Sequence, residues 1–260
     1  MQGRGYGYGG GGVQFGPPVT PPVVKQLLIA NGLVFFLQLV SPALTDFGAV
    51  RPYRVFQEGW IWQPFTYMWL HGGLAHIGFN MLALWMFGSA IALAWGPQKF
   101  LRFYLICGVG AGFVIAGWPY LAVGFGLQPS IILSYSTLGA SGAVYGVLLA
   151  YSLTWPDRYI MLLFPPIPIK AIYFIPFLFL MEYATGPSNV SHIGHLGGVI
   201  VGWILLSRDG RTQGLLSPKR LKYQYRRWRM RRKLQAVRDE ERRSQDARRR
   251  DRGGRGNTLH

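Results

Sequence analysis

The sequence predicts an all-α polytopic membrane protein: a bundle of six transmembrane helices with a long interfacial first loop. Three observations carry this. Half of the 260 residues are apolar and only 14% are charged, against about 25% charged in an ordinary soluble domain. The charge is also unevenly placed: residues 208–260 hold 19 of the 27 Lys and Arg, leaving eight basic and four acidic side chains for residues 1–207. So few charges would not solvate the surface of a soluble domain of that size. Finally, residues 23–207 contain six apolar stretches that approach the roughly 20 residues a bilayer crossing needs.

Residues 1–22 form a first segment. They open on a Gly/Tyr-rich stretch with no apolar signal-peptide core, continue to Pro17, Pro18, Pro21 and Pro22, and read as a disordered arm. Residues 23–207 are the membrane core. Span one is expected at 23–41, followed by a loop at 42–73. That loop carries Phe56, Trp60, Trp62, Phe65, Tyr67 and Trp69, side chains suited to the headgroup level. Spans two to six are expected at 74–95, 99–120, 137–155, 168–184 and 191–207, the last two being short. Residues 208–260 are a basic tail. Cys107 is the single cysteine, excludes an intrachain disulfide and reads as a small buried side chain. No period of twenty to fifty residues repeats, so a solenoid or an inverted-repeat transporter has no support.

The basic residues orient the spans. Arg4, Lys25, Lys99, Arg102, Arg158, Lys170 and the tail fall on one side, and only Arg51 and Arg54 on the other. The positive-inside rule then places both termini in the cytoplasm, and the compact form suits a bacterial plasma membrane. The tail, with a net charge that suggests a nucleic-acid binder in isolation, becomes a topology anchor meeting anionic lipid headgroups. Residues 219–243 are expected as a basic helix with Tyr225 and Trp228 at the interface. No nucleic-acid partner is expected.

Intramembrane polar residues are expensive and mark function by default. Span two opens with His71, His76 and Asn80, span four with Ser141 and Tyr145, and span six with His192 and His195. His76 and Asn80 share one helix face, as do Ser141 and Tyr145. Spans two, four and six all run inward, so His76, Asn80, Ser141 and His195 are expected at one depth, about 8–9 Å below the outer edge. Gly142 and Gly146 on span four, and Gly194, Gly198 and Gly202 on span six, let these helices approach closely enough for short side chains to meet. A Ser beside a His is the minimal nucleophile–base pair. His195 would take the Ser141 proton and return it to the leaving amine. His76, Asn80 and the Ser141 backbone N–H would bind the oxyanion, and Tyr145 would support the imidazole. Asp46 and Glu58 lie in the first loop, Asp157 is cytoplasmic and Glu182 ends span five, so a dyad without a carboxylate is expected. Zinc and haem are the alternative uses of paired histidines. The metalloprotease HExxH pattern is absent, and haem leaves the Ser141 context unexplained, so no metal and no cofactor is expected.

His71, His76-Ile-Gly-Phe-Asn80, Gly139-Ala-Ser141-Gly-Ala-Val-Tyr145 and His195-Leu-Gly-Gly198 together resemble the rhomboid family of intramembrane serine proteases, over residues 23–207. The resemblance implies a six-span rhomboid-like core. It makes Ser141 the nucleophile, His195 the general base, His76 and Asn80 oxyanion ligands, and Tyr145 the residue stacked on His195. It gives His71 a structural position and leaves His192 open. The family's first loop usually carries a Trp-Arg pair, whereas this chain has Trp62-Gln63, with Arg51 and Arg54 as the nearby basic residues. The implied substrates are membrane proteins cut within or beside a transmembrane segment. Span five is bulky, with Pro176 in its middle, and is read with the loop 184–191 as a gate for substrate entry. A catalytically inactive, client-binding relative is the alternative class, and retention of Ser141 and His195 argues against it.

Overall fold

The computed structural model describes residues 16–162, 166–185 and 192–209, and in the tail the positions 226, 229, 230, 234, 238 and 240, all helical. The chain divides into two compact units, 1–209 and 210–260. Residues 1–15, the gate loop 186–191, and Tyr225 and Trp228 of the expected tail helix lie outside the described residues.

Helix α1 spans Pro22–Val40 and starts on a proline, whose locked φ suits a first helical position where no N–H is needed. It buries Val24, Leu27 and Phe35 but leaves Ile29, Leu33, Phe36 and Leu37 exposed. A helix apolar on both faces belongs in hydrocarbon rather than water. Before it, Gly16 lies under the Trp85 ring, and Thr20 Oγ1 accepts a hydrogen bond from Trp85 Nε1 at 2.8 Å.

The first loop is a folded element. It contains α2 (Ala43–Gly48), α3 (Pro52–Gln57), α4 (Gln63–Thr66) and a 3₁₀ turn at Tyr67–Trp69. Trp62 stacks between Phe47 (5.1 Å) and Trp60 (5.2 Å), and the Arg54 guanidinium sits 4.4 Å over Trp60. Asp46 pairs with Arg54 at 2.8 Å and with Arg51 at 2.5 Å. Gln63 is fully buried: its Oε1 accepts the Arg51 backbone N–H at 3.0 Å and its Nε2 donates to the Phe47 carbonyl at 3.4 Å. The neutral amide thus ties two strands of the loop by itself, while Arg51 and Arg54 act separately through Asp46. Gln63→Ala would strand the Arg51 N–H, while the Phe47 carbonyl keeps its bond from Trp62 Nε1 at 3.2 Å. It is expected to cost about 1–3 kcal/mol, read as a lower thermal midpoint in detergent. The Arg54 and Arg51 guanidiniums hold the Asp46 carboxyl below its ordinary value of 3.8. The stabilisation is therefore fully present above that value and is lost as pH falls through the lowered native one. Tryptophan emission from the Trp60–Trp62 stack should change on acidification below about pH 4, and Asp46→Asn should show the acid-form signal already at neutral pH.

Among the described residues, three helical rods are long and apolar enough to cross a membrane: Pro22–Val40, Leu74–Trp95 and Pro97–Gly124. The second consists of α5 (Leu74–Ala83), a five-residue π-helical stretch (Leu84–Gly88) and α6 (Ser89–Trp95). The third is α7 (Pro97–Gly124). They are followed by α8 (Ser141–Thr154), an antiparallel pair β1 (Tyr159–Met161) and β2 (Pro168–Lys170), α9 (Phe174–Thr185) and α10 (His192–Arg208). α10 packs along α7 and α8, which form the centre of the bundle.

Two expected spans are shorter than the apolar pattern suggested. The stretch 137–155 is helical only from Ser141, because Thr137 is paired with Val50 and Gly139 adopts φ +131°. The stretch 168–184 is helical only from Phe174. Residues 168–170 pair with β1, and Ala171–Tyr173 form a 3₁₀ turn. Pro176 therefore falls in the first turn of α9 rather than in mid-span. There its missing N–H interrupts no helical hydrogen bond, so Pro176 does not support the gate reading.

The contact between α8 and α10 is backbone to backbone. A Cβ on Gly198 would overlap the Gly142 carbonyl oxygen, and a Cβ on Gly146 would sit 3.3 Å from the Gly198 carbonyl oxygen. This is the small-residue packing that brings membrane helices within reach of short side chains.

Candidate active site

His76 lies in the first turn of α5, with Asn80 one turn further on. The segment before it is anchored to α1. The buried Gln38 Oε1 accepts the His71 backbone N–H at 2.9 Å, and Gln38 Nε2 reaches the His71 carbonyl at 3.4 Å. The His71 ring is buried and meets His76 edge-on, with centroids 5.2 Å apart. The Gly72 N–H donates to His76 Nδ1 at 3.2 Å. Nδ1 is thereby an acceptor, so in the neutral ring the proton sits on Nε2. Asn80 Nδ2 donates one hydrogen to the His76 carbonyl at 2.9 Å, which leaves its second amide hydrogen available.

Gly139 connects this pair to α8. Its N–H donates to the Tyr67 carbonyl at 2.9 Å, and the Tyr67 hydroxyl donates to the Gly108 carbonyl on α7 at 2.7 Å. A Cβ at position 139 would stand 2.8 Å from His76 Nε2 and 3.7 Å from Ser141 Oγ. The bare α-carbon of Gly139 therefore has the protonated edge of His76 and the Ser141 hydroxyl beside it. Ser141 was expected several residues into a helix. It is instead the first residue of α8, where the first-turn N–H groups lack intrahelical acceptors and carry the positive end of the helix dipole.

One turn along α8, Tyr145 stacks on His195 of α10, with centroids 4.2 Å apart and planes 5° from parallel. His195 is buried. His76, Asn80, Ser141, Tyr145 and His195 all line one open cavity.

One expectation fails here. A carboxylate does reach the imidazole: Glu182 Oε1 on α9 is 2.8 Å from His195 Nδ1, and the Tyr145 hydroxyl donates to the same oxygen. Its Oε2 lies 3.2 Å from Nδ1 of His192. α9 runs Phe174–Thr185, so Glu182 stands in its last turn, near the end of the span as expected, with its carboxylate turned toward Tyr145 and His195. Its signal was present in the sequence as the one acidic residue in the run Phe174–Thr185. Gln38 also escaped sequence reading, because it acts on His71 across 33 residues; Tyr67, expected at the headgroup level, is instead buried with its hydroxyl on the Gly108 carbonyl. Among the described residues, no group of three or more His, Cys, Asp or Glu is arranged to hold a metal ion.

A family model described as "Rhomboid domain" matches residues 58–210. The chain is 30% identical over 213 residues to Rhomboid protease GluP of Bacillus subtilis (strain 168), covering 77% of this chain and 37% of that protein. It is 28% identical over 219 residues to Rhomboid protein 1, mitochondrial, of Saccharomyces cerevisiae, covering 75% and 60%. It is 29% identical over 196 residues to Rhomboid protease AarA of Providencia stuartii, covering 69% of each. The chain thus spans less than two thirds of the length of the first two relatives.

Proposed function

The chain belongs to the rhomboid family, and from that premise we propose that it is an intramembrane serine endopeptidase cleaving transmembrane segments of membrane proteins. The observation that carries this reading is the stack of Tyr145 on His195 beside a cavity shared with Ser141, His76 and Asn80. In the proposed reaction Ser141 Oγ attacks the scissile carbonyl carbon while its proton passes to His195 Nε2. The carbonyl oxygen becomes an oxyanion bonded by His76 Nε2–H, the Asn80 amide and the Ser141 N–H. The imidazolium then protonates the leaving amine as the C–N bond breaks, leaving an acyl group on Ser141. Water attacks the acyl carbon, gives its proton to His195, and the proton returns to Ser141 Oγ as the acid product leaves.

The reading includes six spans: the three long rods, and α8, α9 and α10 as shorter crossings. It has both termini in the cytoplasm, the first loop at the outer interface and the tail on anionic headgroups, in a bacterial plasma membrane. α9 with the loop behind it is the proposed gate, supported by the exposed Leu180, Met181 and Tyr183 on its surface.

A fluorophosphonate probe tests the chemistry without a known substrate. Wild type should be labelled and Ser141→Ala should not. Equal labelling of both would discard the nucleophile assignment. Folded wild type that neither labels nor cleaves would favour an inactive client-binding protein. His76→Ala removes one oxyanion donor and is expected to lower kcat by about 10²–10³-fold, measured on a reporter with a transmembrane segment.

A further inference from the structure

The proposed protease chemistry leaves Glu182 unused. A carboxylate here is costly: its side chain is 15% exposed, as the single charged group on a helix built mainly from Phe, Ile, Leu, Met and Tyr. Yet both its oxygens are occupied. Oε1 lies 2.8 Å from His195 Nδ1 and accepts from the Tyr145 hydroxyl, while Oε2 faces His192 Nδ1 at 3.2 Å. Tyr145 is therefore held twice, by its ring against the imidazole and by its hydroxyl against the carboxylate. Among the described residues of the core, no other carboxylate is placed to take this part, and Asp209 pairs with Lys99. Asp46 and Glu58 belong to the first loop, with Arg51 and Arg54, and Asp157 faces Lys170 at the hairpin.

We propose that Glu182 is a positioning residue for His195, turning the expected dyad into a three-membered arrangement. The idea rests on the serine-protease reading of the same site. The Glu182 carboxylate, 2.8 Å from Nδ1 though off the line of an N–H···O bond there, favours by its charge the tautomer with the proton on Nδ1 and leaves Nε2 unprotonated, the form that can accept the Ser141 proton. The carboxylate also balances the imidazolium formed during attack. The three parts come from three helices: Ser141 from α8, His195 from α10 and Glu182 from α9. Since α9 is the proposed gate, the base is fully oriented only when α9 is seated against α8, so displacing α9 withdraws the group that aligns the imidazole. Substrate entry and the competence of the base are thereby coupled.

The test uses the full-length protein in detergent or liposomes, with Glu182→Gln and Glu182→Asp variants. Glu182→Gln keeps the side chain's shape but removes the charge and can present an amide N–H to Nδ1. It is expected to lower kcat on a transmembrane reporter by about 10²–10⁴-fold, with KM unchanged. Fluorophosphonate labelling of Ser141, which needs the base but no transmembrane substrate, should slow in parallel. Glu182→Asp should recover part of both rates. The Nδ1 proton resonance of His195 should shift between wild type and Glu182→Gln. Labelling of folded Glu182→Gln at the wild-type rate would overturn the proposal. So would a loss that tracks only the folded fraction measured by thermal unfolding. Failure of the underlying reading looks different: there, Ser141→Ala would label like wild type whatever residue stands at 182.

Discussion

Ser141→Ala and His195→Ala should each reduce cleavage of a transmembrane reporter to background, a loss on the order of 10⁶-fold by analogy with other serine proteases. The double variant should lose no more than either single one. Nucleophile and base act in the same bond-making step, so removing either removes the step. Neither change should unfold the protein. Ser141 begins α8 and is only partly buried, so Ala costs little there. His195→Ala opens space beside Tyr145 but leaves the glycine-mediated contact of α8 with α10 in place. The measurement is reporter cleavage beside thermal unfolding of each variant. Full activity in Ser141→Ala would remove the mechanism; lost activity with lost folding would show a packing role instead.

The second large effect is expected far from any reacting atom. Gly198→Ala adds one methyl group where the Gly142 carbonyl oxygen already stands. Backbone cannot rotate away as a side-chain tip can, so α8 and α10 must separate. Ser141 lies immediately before Gly142 on one helix, and His195 one turn before Gly198 on the other. Displacements of about 1 Å at such a pair cost roughly 10²-fold in rate. Gly198→Ala should therefore lower kcat by at least that factor and also lower the thermal midpoint. Gly78→Ala is the control: nothing lies within 4 Å of a Cβ there, so stability should be unchanged. A Gly198→Ala protein with wild-type rate would mean that close approach of these helices is not what aligns the pair.

The legible parts of the molecule share a physical character. Apolar stretches read directly as helices in the three long rods, because hydrophobic length is a local property of the chain. His76, Asn80, Ser141, Tyr145 and His195 were identifiable because polar groups in apolar runs are rare and costly, and the glycines beside them indicated close helix packing. The structure brings Tyr145 against His195 and lines one cavity with all five. The charge distribution likewise separated the core from the tail by arithmetic alone.

What stayed hidden depends on partners distant in sequence. Hydrophobicity cannot tell that Thr137 will pair with Val50 and leave α8 to start at Ser141, or that 168–170 will pair with β1. Both shifts moved a helix start, and each mattered: one put Ser141 at a helix N-terminus, the other put Pro176 in a first turn. Gln63 could be seen to depart from the family's usual arginine, but not that its amide would bridge the Arg51 N–H and the Phe47 carbonyl. The sequence by itself determined a membrane-embedded helical chain, its family and the candidate side chains of the site, because burial cost and residue chemistry are carried locally. Only the tertiary structure decided which carboxylate faces His195 and how closely α8 approaches α10. Those depend on distances between segments that linear order does not encode.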